Sequence, residues 1–259
     1  MIDDGSMKHR LVPNARYFFA TAPLPCPYLP GLTERRLVTE LSGRNANAFH
    51  DVLSQAGFRR SHCLAYVPVC RNCTACAAVR VRAMEFTPSR GQRRTRNANT
   101  DLTSVEKPPL ATEEQYEVFR RYQKERHADG EMARMTFYDY QTLIGDTPVD
   151  TRLIEYRDRD QRLMGACLTD RMQDGYSAVY SFFDPDEERR SLGTWAILDL
   201  IGRARADALP YVYLGFWIAQ SHKMAYKSRF QPLEAYTPEG WFPLDPDNPE
   251  TFRHFHAPK

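Results

Sequence analysis

After Thr147 the chain spells out four segments dense in β-branched and aromatic residues: DTRLIEYRD, RLMGACLTDRM, YSAVYSFFD and YVYLGFWI. Residues of this kind suit a pleated, half-buried surface, so each segment reads as a strand. The first three read as antiparallel neighbours, and RMQDGYSA carries an Asp-Gly hairpin signal between the second and third. Between the third and fourth, RRSLGTWAILDLIGRARADA places Trp195, Leu198, Ile201 and Ala208 at helical spacing, with Ser191 as the expected N-cap. Upstream, Thr112 and Gln115 match a capping box, and Tyr116, Phe119 and Tyr122 recur on one helical face. The order is helix, three antiparallel strands, helix, strand, short helix, strand. That order predicts an α+β fold with an antiparallel or mixed sheet flanked by helices.

The region before residue 110 has a different character. It is rich in Cys and Arg, is broken by turn signals such as TAPLPCPYLPG, and closes on the linker-like SVEKPPLATEE. The expected organisation is therefore a small Cys-rich N-terminal domain over 1–110 and a larger domain over 111–259. No run approaches the roughly 20 apolar residues that span a bilayer, and the polar start MIDDGSMKHR lacks the apolar region of a secretory signal. A cytoplasmic location without membrane partners is the expectation. The net charge is only +2, but the stretch Arg80 to Arg96 holds six arginines against one acid. A local basic stripe of that kind is compatible with RNA binding, and a solvated loop is the alternative.

The turn that opens the second helix runs Arg190, two residues, then Gly193. It resembles the Arg-x-x-Gly-x-Gly/Ala turn of GNAT acyltransferases, whose strand order also matches the one above, and in which helix N-terminal N–H groups hold the pyrophosphate of coenzyme A. Here Trp195 fills the last small-residue position, which speaks against coenzyme A and for another phosphate-bearing acyl carrier such as the 3′ end of tRNA. The whole chain carries a more specific resemblance. FFATAPLPCPYLPG, GFRRSHCLAYVPVCRNCTACAAVRV, PSRGQRR, RYQKERHADGEM, EYRDRDQRLMGACLTD, DGYSAVYSFFDP, RRSLGTWAILDLI, LPYVYLGFWI and MAYKSRFQPLE are similar, in order, to the bacterial leucyl-tRNA-protein transferases, relatives of the eukaryotic arginyl-tRNA-protein transferases. Glu131 departs from that pattern where a glycine is expected. The resemblance implies an aminoacyltransferase with a GNAT-like C-terminal half preceded by the small Cys-rich domain. Its donor would be leucyl-tRNA, and its acceptors proteins beginning with Asp or Glu, marked for degradation by the transfer. The alternatives are a coenzyme A-dependent N-acetyltransferase and a non-enzymatic RNA-binding module.

Transfer of an amino acid from a ribose ester to an α-amine is aminolysis of an activated carbonyl, so no covalent enzyme intermediate and no organic cofactor are expected. Asp170 and Asp174 are candidates to orient or deprotonate the amine, and Tyr180 or Ser181 to donate towards the leaving hydroxyl. Arg190 and Gly193, together with the basic cluster Lys223, Lys227 and Arg229, are candidates to hold tRNA. An acidic N-terminal side chain calls for the fork of a guanidinium, which makes Arg90, Arg93 and Arg94 the acceptor candidates; the same arginines suit tRNA phosphates equally well. Cys70, Cys73 and Cys76 form C-x-x-C-x-x-C, and Cys26 offers a fourth thiolate, the ligand set of a structural zinc ion or an iron-sulfur cluster. Buried thiols packing a small domain are the other reading of these four. Cys63 and Cys167 are assigned no role.

Overall fold

The structure, a computed structural model, describes residues 16–258; the polar start lies outside the described residues. Strands β1 (Phe19–Ala20), β2 (Leu24–Pro25), β3 (Thr33–Glu34) and β4 (Arg36–Glu40) lead into helix α1 (Ala46–Gln55). Then come β5 (Arg59–Ser61), β6 (Leu64–Pro68), β7 (Ala77–Arg82), α2 (Arg90–Ala98) and β8 (Thr103–Lys107). The remainder runs α3 (Glu113–Arg126), α4 (Phe137–Gly145), β9 (Thr151–Arg157), β10 (Leu163–Arg171), β11 (Gly175–Phe183), α5 (Leu192–Ala206), β12 (Tyr211–Trp217), β13 (Leu233–Thr237) and β14 (Gly240–Pro243). A 3-10 turn, Ala225–Arg229, stands between β12 and β13.

Eight strands form one mixed sheet in the order β14-β13-β7-β12-β11-β10-β9-β8. Its neighbours are antiparallel except β11 and β12, the return predicted across α5. Period-two alternation explains how both faces are buried. Leu153, Ala166, Leu168 and Phe182 face α3 and α4, where Phe119, Tyr140 and Ile144 complete one core. Ile154 and Cys167 face the other way, into a core with Leu200, Ile201 and Ala204 of α5.

The expected boundary at 110 separates two compositions, but the sheet crosses it. β7 sits between β13 and β12, and β8 closes the edge beside β9, so among the described residues the sheet takes strands from both sides of that boundary. The N-terminal half adds a second layer, the sheet β1-β4-β6-β5, with α1 packed through Leu53 onto Leu41 and Ala65. Two layers are joined where Arg60 of β5 meets Asp170 of β10: Nε donates to Oδ2 at 2.6 Å, Nη2 to Oδ1 at 2.7 Å, and both side chains are buried.

Local chemistry sets the helix starts. Thr112 and Gln115 cap α3 reciprocally, as expected, with Glu113 and Glu114 in its first turn and Lys124 and Arg126 in its last, complementing the helix dipole. Ser89 and Gln92 cap α2 in the same way, turning the PSRGQRR stretch into a helix rather than a loop. Ser191 stands at the N-cap of α5 as read, but its backbone is left-handed (φ 53°, ψ 48°) and its side chain makes no cap bond. Ala208 lies beyond the end of that helix.

Candidate functional site

β11 and β12 are partners only from Gly175–Ser177 against Tyr211–Tyr213. Beyond that point the two parallel strands separate, with β12 shifting register between Tyr213 and Gly215 against its other neighbour β7. Backbone groups stripped of a ladder partner must be satisfied otherwise. Arg59, at the start of β5, enters the split and its Nη2 donates to the carbonyls of Ala178 (3.3 Å) and Val179 (3.0 Å) on β11. Its guanidinium lies over Gly215 (φ 75°), where any Cβ would overlap it. From the other side Lys227 donates through Nζ to the carbonyl of Phe216 on β12 at 2.6 Å. Lys227 is only 4% exposed, and burial together with the Arg59 charge holds its pKa well below the ordinary lysine value.

Aromatic rings line the mouth of the split. Tyr122 stacks edge-on against Phe183 (4.8 Å between centroids) and His127 (5.5 Å). Burial and the neighbouring charges of Lys223 and Arg126 keep the His127 ring below its usual pKa. The phenol of Tyr226 is raised by burial, and the Arg59 charge opposes that rise.

Beside Tyr226 a groove of about 420 Å³ runs between two helix N-termini. Ser89, Gln92 and Arg94 of α2 form one wall, Arg189, Ser191 and Thr194 at the start of α5 the other, and Arg229 the floor. Three arginines and two positive helix ends make this a place for phosphates.

The structure sorts the predicted residues unevenly. Arg94 and Arg229 come together in the groove, and Lys223 lies nearby at the His127 rim. Arg190 does not line the groove: it bonds Asn99 (2.9 Å) and Asp101, locking α5 to the end of α2. Gly193 packs on the Phe183 ring, where a Cβ would stand 3.1 Å from Cε1. Lys227, read as part of a basic surface cluster, is buried in the split instead. Arg93 bonds its own helix start through Pro88 O (2.6 Å), and Arg90 is exposed outside the groove. Asp170 is committed to Arg60 and Thr151 and is fully buried, so it is unavailable to an incoming amine. Asp174 accepts from Tyr213 Oη (2.9 Å) and Gln55 (3.2 Å) at the closed end of the β11–β12 pair, away from the split. The hydroxyl of Tyr180 accepts from Gln123 on the α3 side, and burial raises its pKa. Ser181 lies past the split, opposite Cys167. The reading from residues missed Arg59, Arg189 and Tyr226; the Ser89-x-x-Gln92 capping signal, had it been read, would have placed the first wall of the groove.

Four of the six cysteines, Cys26, Cys70, Cys73 and Cys76, share one corner. Cys26, Cys73 and Cys76 pack around Leu29, Ala75 and Ile218, the residue after β12. Burial, with Cys26, Cys70 and Cys73 nearby, pushes the Cys76 thiol up to about 12. Cys70 Sγ accepts from Arg35 N at 3.5 Å. Among the described residues no group of three His, Cys, Asp or Glu is arranged to hold a metal ion. Also among them, no helix is long and apolar enough to cross a membrane.

A split parallel pair thus stands beside a groove lined by three arginines. The family models for arginine-tRNA-protein transferases match this chain, the N-terminal one over residues 24–94 and the C-terminal one over 114–237. Curated relatives named aspartate/glutamate leucyltransferase include one from Paramagnetospirillum magneticum, 53% identical over 91% of this chain and 96% of its own length. Another, from Gluconacetobacter diazotrophicus, is 53% identical over 89% and 88%. The chain belongs to this family of aminoacyltransferases, which sets aside the acetyltransferase and non-enzymatic readings. Among solved structures, L-PGS from Bacillus licheniformis is similar at a distance, with a TM-score of 0.44 at 12% identity, covering 69% of this chain and 51% of that one.

Proposed function

We propose that this chain transfers leucine from leucyl-tRNA to the N-terminal α-amine of proteins that begin with Asp or Glu, giving them a residue that directs degradation. The name of the relatives supports the substrates, and the groove carrying Arg94, Arg189 and Arg229 beside the β11–β12 split is the observation that carries the mechanism. The 3′-terminal phosphates of the tRNA lie in the groove, and the aminoacyl ester reaches past Tyr226 into the split. The parting of β11 and β12 beyond Ser177 and Tyr213 supports a GNAT-like reading of the sheet.

The ester is already activated. An α-amine with a pKa of about 7.7–8.0 is partly neutral at pH 7, so holding the two reactants together supplies most of the acceleration. The amine attacks the ester carbonyl, loses a proton to solvent, and the ribose oxygen leaves with a proton. Ser181, past the split, is the candidate donor to that oxygen. Incubating the protein with leucyl-tRNA or arginyl-tRNA and an Asp-initiated peptide, and weighing the product, tests the reading. Addition of leucine is expected; a peptide that gains arginine instead, or nothing, rejects it.

Cys26, Cys70, Cys73 and Cys76 are also proposed to bind a structural zinc ion or iron-sulfur cluster. Their shared corner supports this, although they are not arranged at ligand geometry. No organic cofactor enters the mechanism. Elemental analysis of protein purified without chelator and without oxygen decides the point, and absence of both metals at meaningful stoichiometry would leave four packing thiols.

A further inference from the structure

We propose that Arg59 and Lys227 form the pocket that selects an acidic N-terminal side chain, its carboxylate entering where β11 and β12 part. This rests on the acceptor reading above and assigns it two residues that are not in the arginine cluster of α2.

The two cations come from opposite ends of the chain and converge on adjacent residues of one strand, Arg59 over Gly215 and Lys227 on the carbonyl of Phe216. Each keeps donors in hand. Lysine has three N–H groups and one acceptor here, and Arg59 uses only Nη2, so Nε and Nη1 have no hydrogen bond among the described residues. Several other buried or half-buried arginines have carboxylate partners: Arg60 with Asp170, Arg80 with Glu234, Arg157 with Glu155, Arg203 with Asp199. Neither Arg59 nor Lys227 has a carboxylate within ion-pair distance among the described residues.

Burial and the neighbouring Arg59 charge disfavour the charged form of Lys227, and an anion arriving beside both groups restores it, so the pair is built to take an anionic ligand. Phosphate has its own place in the exposed groove. The anion that arrives together with the reacting amine is the side chain of the acceptor, and a guanidinium fork matches a carboxylate. The flexible lysine stem accommodates the extra methylene of Glu over Asp. Tyr226 borders both places, lining the groove and holding its ring centroid 6.0 Å from Lys227 Nζ, so donor and acceptor meet beside it.

The test uses the full chain with leucyl-tRNA and peptides beginning with Asp or Asn, comparing wild type, Lys227→Met and Arg59→Gln at fixed salt. In each variant the ratio of kcat/KM for Asp over Asn should fall tenfold or more, through the KM of the Asp peptide, while the KM for leucyl-tRNA stays within twofold. Both peptides meet the same sample, so a smaller folded fraction cancels from the ratio. Should a variant show no measurable transfer, fluorescence anisotropy of labelled Asp- and Asn-initiated peptides without tRNA takes over, and loss of the wild-type binding preference supports the pocket. An Asp preference retained in both variants overturns it. So does a rise in the KM for leucyl-tRNA with both peptides slowed equally, which would give the cations to phosphate. Wild-type protein that transfers no leucine to either peptide rejects the acceptor reading itself, a result distinct from both.

Discussion

The two ends of the β11–β12 pair handle charge in opposite ways. At the closed end Asp174 accepts from Tyr213, whose hydroxyl also accepts from Arg80 Nη1 (3.2 Å), and Arg80 Nε donates to Glu234 at 2.8 Å. The Arg80 guanidinium also lies 3.5 Å from the Tyr211 ring centroid and 4.2 Å from that of Trp241. There Arg80 has a carboxylate partner and Asp174 Oδ2 two neutral donors, while Asp174 Oδ1 is buried without a hydrogen bond among the described residues. At the open end Arg59 and Lys227 hold only backbone carbonyls. No carboxylate of the described residues answers either group, which is the contrast the proposed acceptor pocket rests on.

The hardest way to break this comparison is to remove an anion from the answered kind. Asp170→Ala strands Arg60 in the buried seam between the two sheets, and breaking such a pair costs about 3–5 kcal/mol. His50, 3.7 Å from Asp170 and held below its ordinary pKa by burial, offers no compensating negative charge. Urea denaturation should show the loss. A change under about 1 kcal/mol would mean that Arg60 finds water or another partner, and the contrast between paired and unpaired cations would weaken.

Lys227 sharpens the contrast from the other side. Its folded-state pKa is depressed, so between that value and the ordinary one of about 10.4 the unfolded chain binds more protons than the folded one, and stability rises with pH. The gain reaches at most about 1.4 kcal/mol per pH unit for one proton. Lys227→Met lacks this term. Its stability relative to wild type should therefore decline as pH is raised towards about 10.4, and parallel pH profiles for the two proteins would show that the lysine stays charged in the fold.

The groove predicts an effect of a different kind, because its arginines are exposed and are proposed to hold the donor. Replacing Arg94 and Arg229 together with Ala should lower kcat/KM for leucyl-tRNA about tenfold, equivalent to about 1.4 kcal/mol, with Asp and Asn peptides affected alike. The logarithmic salt dependence of tRNA binding should flatten by about 1 for each phosphate that no longer meets an arginine. An altered Asp-to-Asn ratio would return acceptor recognition to the α2 cluster.

Much of this molecule could be read before its structure. Helical periodicity located α3 and α5, β-branched and aromatic content located β9 to β12, and the hairpin between β10 and β11 is where the Asp-Gly signal put it. Those signals act over a few residues. What escaped is long-range. Asp170 reads as an exposed strand-end acid until Arg60, 110 residues upstream, is seen beside it. Lys227 reads as a surface lysine because its neighbours Lys223 and Arg229 are exposed, while the 3-10 turn aims its own side chain inward at Phe216. β7 and β8 read as parts of another domain because pairing with β12 and β9 leaves no trace in local composition.

The smallest expected effect separates two serines that look alike in sequence, each opening a helix at the groove. Ser89 accepts from Gln92 N–H at 3.3 Å while Gln92 answers on Ser89 N–H at 2.8 Å. Removing such a cap costs about 1 kcal/mol, so Ser89→Ala should destabilise by that amount. Ser191 caps nothing, so Ser191→Ala forfeits no cap bond and its stability should stay within about 0.5 kcal/mol of wild type. The position is left-handed, which glycine adopts without strain, so Ser191→Gly should be no worse than Ser191→Ala and better where the φ of 53° dominates. The hydroxyl left free by that backbone lines the groove. Ser191→Ala should then raise the KM for leucyl-tRNA by a few-fold at unchanged thermal midpoint, whereas a shared loss of stability in both serine variants would make Ser191 a cap after all.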